Sequence, residues 1–289
     1  MRRMWRRSLL AAICVWLLSG GAASAQAIAQ AGTGQRQAAA PNGERPQEKT
    51  EAETAGDSRD VAATQSDRPS GANWAEMQRR YKGAFVLSGP KPSRQVALTF
   101  DDVPDSRYTP LVLNVLKQQK VKATFFVVGS RALKAPALVR RIHDEGHAIG
   151  NHSFNHPDFS KMGIGGMSEQ IRSTEAALQR SVGFVPRLIR PPYGEIKNSQ
   201  LDWAQKQGYT VVNWDVDSSD WRQLGAQTVF LNVTRSVRPG SIILLHAGGG
   251  TGQNLYGTVQ ALPKLIAWLR SHHYEPVTLP ELLQLPESK

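Results

Sequence analysis

The stretch Gln95-Val96-Ala97-Leu98-Thr99-Phe100-Asp101-Asp102 decides how this chain folds. Its leading residues are apolar and β-prone, the pattern of a strand buried on both faces. It ends in two adjacent carboxylates. Successive side chains on a straight strand point to opposite faces, so Asp101 and Asp102 can serve one site only where the strand gives way to a loop. The C-terminal rim of a parallel α/β sheet or barrel offers such a place. The same residues also fit a strand followed by a plain acidic turn, and the rest of the chain has to choose.

Downstream, apolar strands alternate with helical patterns. Lys122 to Gly129, Ala148 to Asn151, Arg187 to Arg190, Thr210 to Trp214, Ser241 to Leu245 and Glu275 to Thr278 read as further strands. Helices are expected from a Thr109-Pro110 cap, from Pro136 to a closing Gly146, and from Ser168 to Arg180. Others follow from Ser199 to Gln207, closed by Gly208, and from Ala226 to Val237 and Thr258 to Ser271. Trp74 to Val86 reads as a partly helical lead-in. Roughly seven strand–helix repeats predict one α/β domain with parallel strands, and a barrel accommodates that number better than an open sheet.

Upstream lies no such pattern. Arg2, Arg3, Arg6 and Arg7, an apolar run from Leu9 to Leu18, and Ala23-Ser24-Ala25 predict a secretory signal over residues 1–25, cleaved or kept as an anchor. Residues 26–70 lack aromatic residues and are rich in Ala, Gln, Gly and Glu, so they predict a disordered linker, leaving 71–289 as the folded domain. The only cysteine, Cys14, sits within the signal, which excludes disulfides, thiolate ligands and a cysteine nucleophile from the mature chain. Without the signal arginines the formal charge falls from +11 to +7, and the linker's five basic and seven acidic residues put the domain at +9. A basic exported domain suits a polyanionic envelope polymer, whereas no nucleic-acid-binding motif is present. The mature chain is expected to be a secreted or envelope-associated monomer without a transmembrane segment.

Polar residues with chemical potential recur directly after strands: Asp101 and Asp102, His152, Arg190, Asp217 and His246. His152-Ser153-Phe154-Asn155-His156 spaces two imidazoles by four positions, so that on a helical turn they share a face and can grip one metal ion. The Glu of a helical zinc-protease motif is missing. The paired aspartates supply what is lacking: one completes a two-His, one-carboxylate site, and the other is free to accept a proton from water. Such a site suits hydrolysis of an amide or ester, and no Gly-x-Ser-x-Gly elbow competes with it. Protonating a leaving nitrogen needs an acid, for which His246 is the candidate; the competing reading is a satisfied core histidine.

These residues resemble the polysaccharide deacetylases of carbohydrate esterase family four, which share the nodulation-type chitooligosaccharide deacetylase domain. The likeness spans Gln95 to Leu283 and five motifs in order. Thr99-Phe100-Asp101-Asp102 implies Asp101 as general base and Asp102 as metal ligand, and the His152–His156 motif implies both histidines as ligands. In Arg190-Pro191-Pro192-Tyr193-Gly194 the arginine would hold the base carboxylate and the Tyr193 backbone N–H would face the oxyanion. Asp217-Ser218-Ser219-Asp220-Trp221 implies that Asp217 tunes the catalytic histidine and Trp221 walls the groove. Leu244-Leu245-His246 implies Leu244 lining an acetyl-methyl pocket and His246 as general acid. Trp221 and Tyr193 could stack on sugar faces. Two positions depart from the pattern: Val103 stands where many members have Gly, and Ala247 where many have Asp.

The resemblance implies a distorted (β/α) barrel and a divalent metal, zinc first, with cobalt, nickel and manganese fitting the same donors. It also implies release of acetate from N-acetylglucosamine units, of peptidoglycan first and chitin oligomers second. An O-acetyl xylan esterase is the alternative within the same chemistry, and a non-catalytic glycan-binding module the alternative outside it.

Overall fold

A computed structural model of the chain describes residues 73–92 and 94–289. The expected signal and linker lie outside the described residues. The lead-in is a short helix α1 (Trp74–Arg80), capped by the Asn73 side chain on the Glu76 N–H, followed by a two-residue strand β1 (Phe85–Val86). The organising stretch forms β2 (Gln95–Val103), and α2 (Tyr108–Gln119) follows. The expected Thr109 cap is corrected. Asp105 Oδ1 accepts the N–H groups of Arg107 and Tyr108, while Thr109 lies inside the helix and donates its hydroxyl to the Ala247 carbonyl.

Next come β3 (Thr124–Val127), α3 (Gly129–Lys134), α4 (Pro136–Asp144), β4 (Ala148–Asn151) and α5 (Ile164–Val182). Helix α5 starts one turn before the expected Ser168 cap, at Gly163, because the chain there already has extended backbone at the cap position. Then β5 (Leu188–Ile189), α6 (Asn198–Lys206), β6 (Thr210–Val212), β7 (Val216–Asp217) and α7 (Ala226–Thr234) lead to β8 (Ile242–His246). The chain closes with α8 (Tyr256–Ser271), β9 (Glu275–Val277) and α9 (Leu279–Leu283).

All ladders are parallel, in the order β1-β6-β5-β4-β3-β2-β8-β7, with β9 also on β2. This is a curled, barrel-like sheet with helices outside it. Among the described residues no ladder joins β7 to β1; a single antiparallel bridge, Ser88 to Ser241, spans the seam nearby.

Alternation along the strands sorts the core. Val96, Leu98 and Phe100 of β2, Phe125 and Val127 of β3, and Ile243 and Leu245 of β8 pack under α2, α4, α5, α7 and α8. Ala97, Phe126, Ile242 and Leu244 face inward, in a second cluster that continues under α1, α6 and α9. Inward-facing Thr99 and Asp101 on β2, and His246 on β8, are thereby carried to the rim.

At Gly150 a Cβ would stand 2.4 Å from the Phe126 ring, its register partner on β3. The ring carries the Arg190 guanidinium at 4.1 Å and cannot yield freely. Gly150→Ala is expected to cost about 1–3 kcal/mol through overpacking, seen as a lower urea midpoint with an unchanged slope.

Candidate active site

Straight continuation of β2 would send Asp102 outward, away from Asp101. Instead the pairing with β3 slips by one residue between Phe100 and Val103, and Asp102 takes φ +66°. A bulge at a left-handed residue re-aims the side chain, and Asp tolerates that region better than most. The strand therefore does not end at the carboxylates, as the sequence suggested; it runs on to Val103, and the bulge brings both to one site.

Asp101 is buried, and its Oδ1 accepts Arg190 Nη1 at 2.8 Å. Arg190 follows β5 and is 0% exposed. Its guanidinium also donates to Thr99 Oγ1 at 2.8 Å and to the carbonyls of Val212 at 3.0 Å and Asn213 at 3.3 Å. Burial pulls the Arg190 pKa down, and the Asp101 charge opposes that. Each of the three guanidinium nitrogens of this buried cation donates to at least one acceptor.

His152 and His156 lie after β4 in an irregular loop, not on the helical turn their spacing suggested. Ser153 and His156 have φ +66° and +63°, which a helix cannot accommodate. The loop is tied down from several sides. Asn151 Oδ1 accepts the Ser153 N–H, Ser153 Oγ accepts the His156 N–H, and Gln170 Oε1 accepts those of Phe154 and Asn155. His152 Nδ1 donates to the Arg190 carbonyl at 2.7 Å, leaving the Nε2 lone pair free. Burial, then the neighbouring His156, push the His152 pKa down to about 3, so its imidazole is neutral.

Both Nε2 atoms converge on Asp102 Oδ1, at 3.9 Å from His152 and 3.4 Å from His156. One donor atom from each residue lies within 4.8 Å of the others. Ligand atoms each about 2.1 Å from one ion stand roughly 3–4 Å apart, as both distances from Asp102 Oδ1 do. Asp102 Oδ1 is also buried without a hydrogen-bond partner. An orphaned carboxylate oxygen facing two imidazoles fits a divalent cation and is otherwise costly.

His246 lies in register with Asp101 on the adjacent strand. Its Nδ1 donates to Asp220 Oδ1 at 2.7 Å, and its backbone N–H to Asp220 Oδ2 at 2.8 Å. Thr258 Oγ1 donates to the same Oδ2 at 2.6 Å. Burial alone would lower the His246 pKa, but the Asp220 charge and hydrogen bond outweigh it and raise it to about 9.

The expected partner, Asp217, is corrected to Asp220. Asp217 pairs in register with Leu244, two residues short of His246, and its carboxylate accepts the Ser219 N–H and the Trp214 indole instead. Burial raises the Asp217 pKa. Asp220, three residues on, reaches the level of His246. The motif contained it, but nothing in a lone sequence says which of two aspartates three apart sits beside a histidine on another strand. Thr99, whose hydroxyl accepts from Arg190, has no role of its own that the sequence pattern shows.

Tyr193, Trp221 and Leu244 lie around the same rim. Tyr193 has φ +59° and is 56% exposed, its ring edge-on to His156 at 4.7 Å. Trp221, 44% exposed, lies on the turn that carries Asp220. Leu244 is buried and faces inward two residues before His246.

The rim thus combines an Asp–Arg pair, an Asp–His pair and a trio that fits a cation, a set of groups compatible with a hydrolase. Comparison with known proteins narrows this class. Residues 88–212 match the polysaccharide deacetylase family. A peptidoglycan-N-acetylglucosamine deacetylase of Bacillus cereus is 44% identical over 217 residues, covering 75% of this chain and 78% of the relative. A chitooligosaccharide deacetylase of Bradyrhizobium sp. is 37% identical, covering 66% and 91%. A crystal structure of a peptidoglycan N-acetylglucosamine deacetylase bound to an N-oxidanyl-benzamide superposes with a TM-score of 0.72 at 44% identity, over 75% of this chain and all of that one. The chain belongs to the polysaccharide deacetylase family, carbohydrate esterase family four.

Replacing Asp220 by Asn removes the charge that keeps His246 protonated. The alkaline limb of kcat/KM is expected to move down by roughly 1–3 pH units, while Asp217→Asn moves it less. A pH–rate profile of both variants reads the difference.

Proposed function

We propose that this chain is a metal-dependent N-deacetylase acting on N-acetylglucosamine units of an envelope glycan, peptidoglycan first and chitin oligomers second. The observation that carries the reading is the convergence of Asp101, Asp102, His152, His156 and His246 at one end of the sheet, with Asp102 Oδ1 lacking any other partner. Asp102, His152 and His156 would hold the ion, zinc by preference and cobalt, nickel or manganese by the same donors. When bound it supplies Lewis-acid polarisation of the acetyl carbonyl and of water.

The chain's own residues handle the protons. Asp101, fixed by Arg190, accepts the proton of the attacking water. His246, kept cationic by Asp220, protonates the departing amine. The Tyr193 backbone N–H faces the developing oxyanion, Leu244 lines the acetyl methyl pocket, and Trp221 and the Tyr193 ring bound the sugar. A glycan-binding module without turnover would not need an acid and a base poised on adjacent strands. No helix among the described residues is long and apolar enough to cross a membrane. An exported domain over residues 71–289, held off by a linker at 26–70 and working as a monomer, completes the reading.

Acetate release from peptidoglycan, chitooligosaccharide and acetylxylan tests it. The two N-acetylated substrates are expected to yield acetate at rates above acetylxylan, and chelation to abolish release until zinc or cobalt is restored. Asp101→Asn is expected to lose on the order of 10²–10⁴ in kcat. Equal release by wild type and Asp101→Asn overturns the assignment of the base; release from acetylxylan alone moves the enzyme to the esterase reading.

A further inference from the structure

Helix α3 touches both chain segments that carry the trio. Its first two backbone N–H groups, on Gly129 and Ser130, donate to the carbonyls of Ser153 at 3.0 Å and Phe154 at 2.8 Å. These bonds clamp the loop between His152 and His156. Its third residue, Arg131, donates from Nη1 to the backbone carbonyl of Asp102 at 2.6 Å. Against the same carbonyl lies Gly248, where an added Cβ would stand 2.0 Å from the Asp102 oxygen and 2.9 Å from Arg131 Nη1. The Asp102 carbonyl is therefore held by a guanidinium and hemmed in beside it by a backbone with no room for a side chain.

Physical need explains this grip. A non-glycine residue in the left-handed region costs about 1–3 kcal/mol and persists only when its surroundings over-determine it. Asp102 sits there at φ +66°, and its side-chain direction follows from that backbone angle. A charge-assisted bond to the carbonyl fixes the orientation of the peptide plane after Asp102. Were the plane to flip back to the extended form, alternation would carry the carboxylate toward the helix layer.

We propose that Arg131, with Gly248 as its steric backstop, is a positioning residue of the cation site: it holds the main chain of Asp102 in the bulged conformation that aims Oδ1 at His152 and His156. The proposal rests on the reading that this trio binds a divalent metal. Through α3, one guanidinium and two amide N–H groups set the distance between the carboxylate and the imidazoles.

Zinc affinity measured by competition with a chromophoric chelator, together with melting of metal-free and zinc-loaded protein, tests this. Arg131→Met is expected to weaken zinc about 10–100-fold and to shrink the zinc-induced rise in Tm, with the metal-free melt close to wild type. Arg131→Lys, which keeps a cationic donor, is expected to recover part of the affinity. Gly248→Ala is expected to weaken zinc as well, and the double variant to lose less than the product of the two. Zinc affinity of Arg131→Met within about twofold of wild type overturns the proposal and leaves the trio standing. A metal-free melt that falls as far as the zinc-loaded one assigns Arg131 to general stability and overturns it too. If wild type itself binds no zinc or cobalt, the metal reading fails and takes this one with it.

Discussion

The pairing of Arg190 with Asp101 is the constraint around which the molecule closes. Their strands, β5 and β2, are separated in the sheet by β4 and β3. In a flat sheet that is three strand spacings, roughly 14 Å. The observed 2.8 Å contact between the two side chains is brought within easy reach by the curl of the sheet, and a buried cation paired with one carboxylate favours that curl. Losing either member would strand a charge in the interior, at a cost of about 3–5 kcal/mol. Phe126 under the guanidinium and Trp214 at 5.6 Å give the cation an aromatic bed in place of water. The same arginine then lends its carbonyl to His152, so the element that shapes the barrel also sets a tautomer at the site.

Backbone strain is distributed accordingly. Among the described residues nine non-glycine positions have φ in the left-handed region. Lys120 and Gln284 terminate helices, where that conformation is ordinary. Asp102, Ser153, His156, Tyr193 and Ser219 do not; each belongs to one of the segments that form the rim. A regular parallel sheet points its side chains by strict alternation, which alone cannot bring adjacent residues of one strand to a common point. The strained residues break that rule locally, and the buried network around them holds the departures in place.

How legible this was in the sequence depends on the range of the interaction involved. Strands β2, β3, β4 and β8 announce themselves as apolar runs, and the helices as periodic ones with glycine ends. The two-residue strands β1 and β7 do not, because two residues carry no periodicity to measure. Three site features were invisible for a common reason. The bulge at Asp102 is defined by register against β3, and the choice of Asp220 over Asp217 by register between β7 and β8. The loop around His152 and His156 is fixed by Gln170 and by α3. Residue types and spacing along one strand cannot encode what a neighbouring strand's offset decides. The spacing of four between the imidazoles even suggested the wrong local structure, since a helix and a tight loop both bring such residues together.

Two histidines of the same intrinsic basicity end up with opposite protonation states within this frame. His152 sits where burial dominates and its neighbour is another imidazole, and its pKa is pushed down to about 3. Its imidazole is neutral near pH 7 and offers a lone pair. His246 is largely enclosed too, its side chain 14% exposed, yet Asp220 is pressed against both its ring and its backbone N–H, and its pKa rises to about 9. It is protonated near pH 7. The difference lies in where the second polar partner comes from: a neutral carbonyl from Arg190 in one case, a carboxylate secured by Thr258 in the other. A carbonyl orients an imidazole without paying for its charge, whereas a carboxylate does both. The division of labour at this rim is therefore written in the partners of the two Nδ1 atoms, and the residue type alone does not determine it.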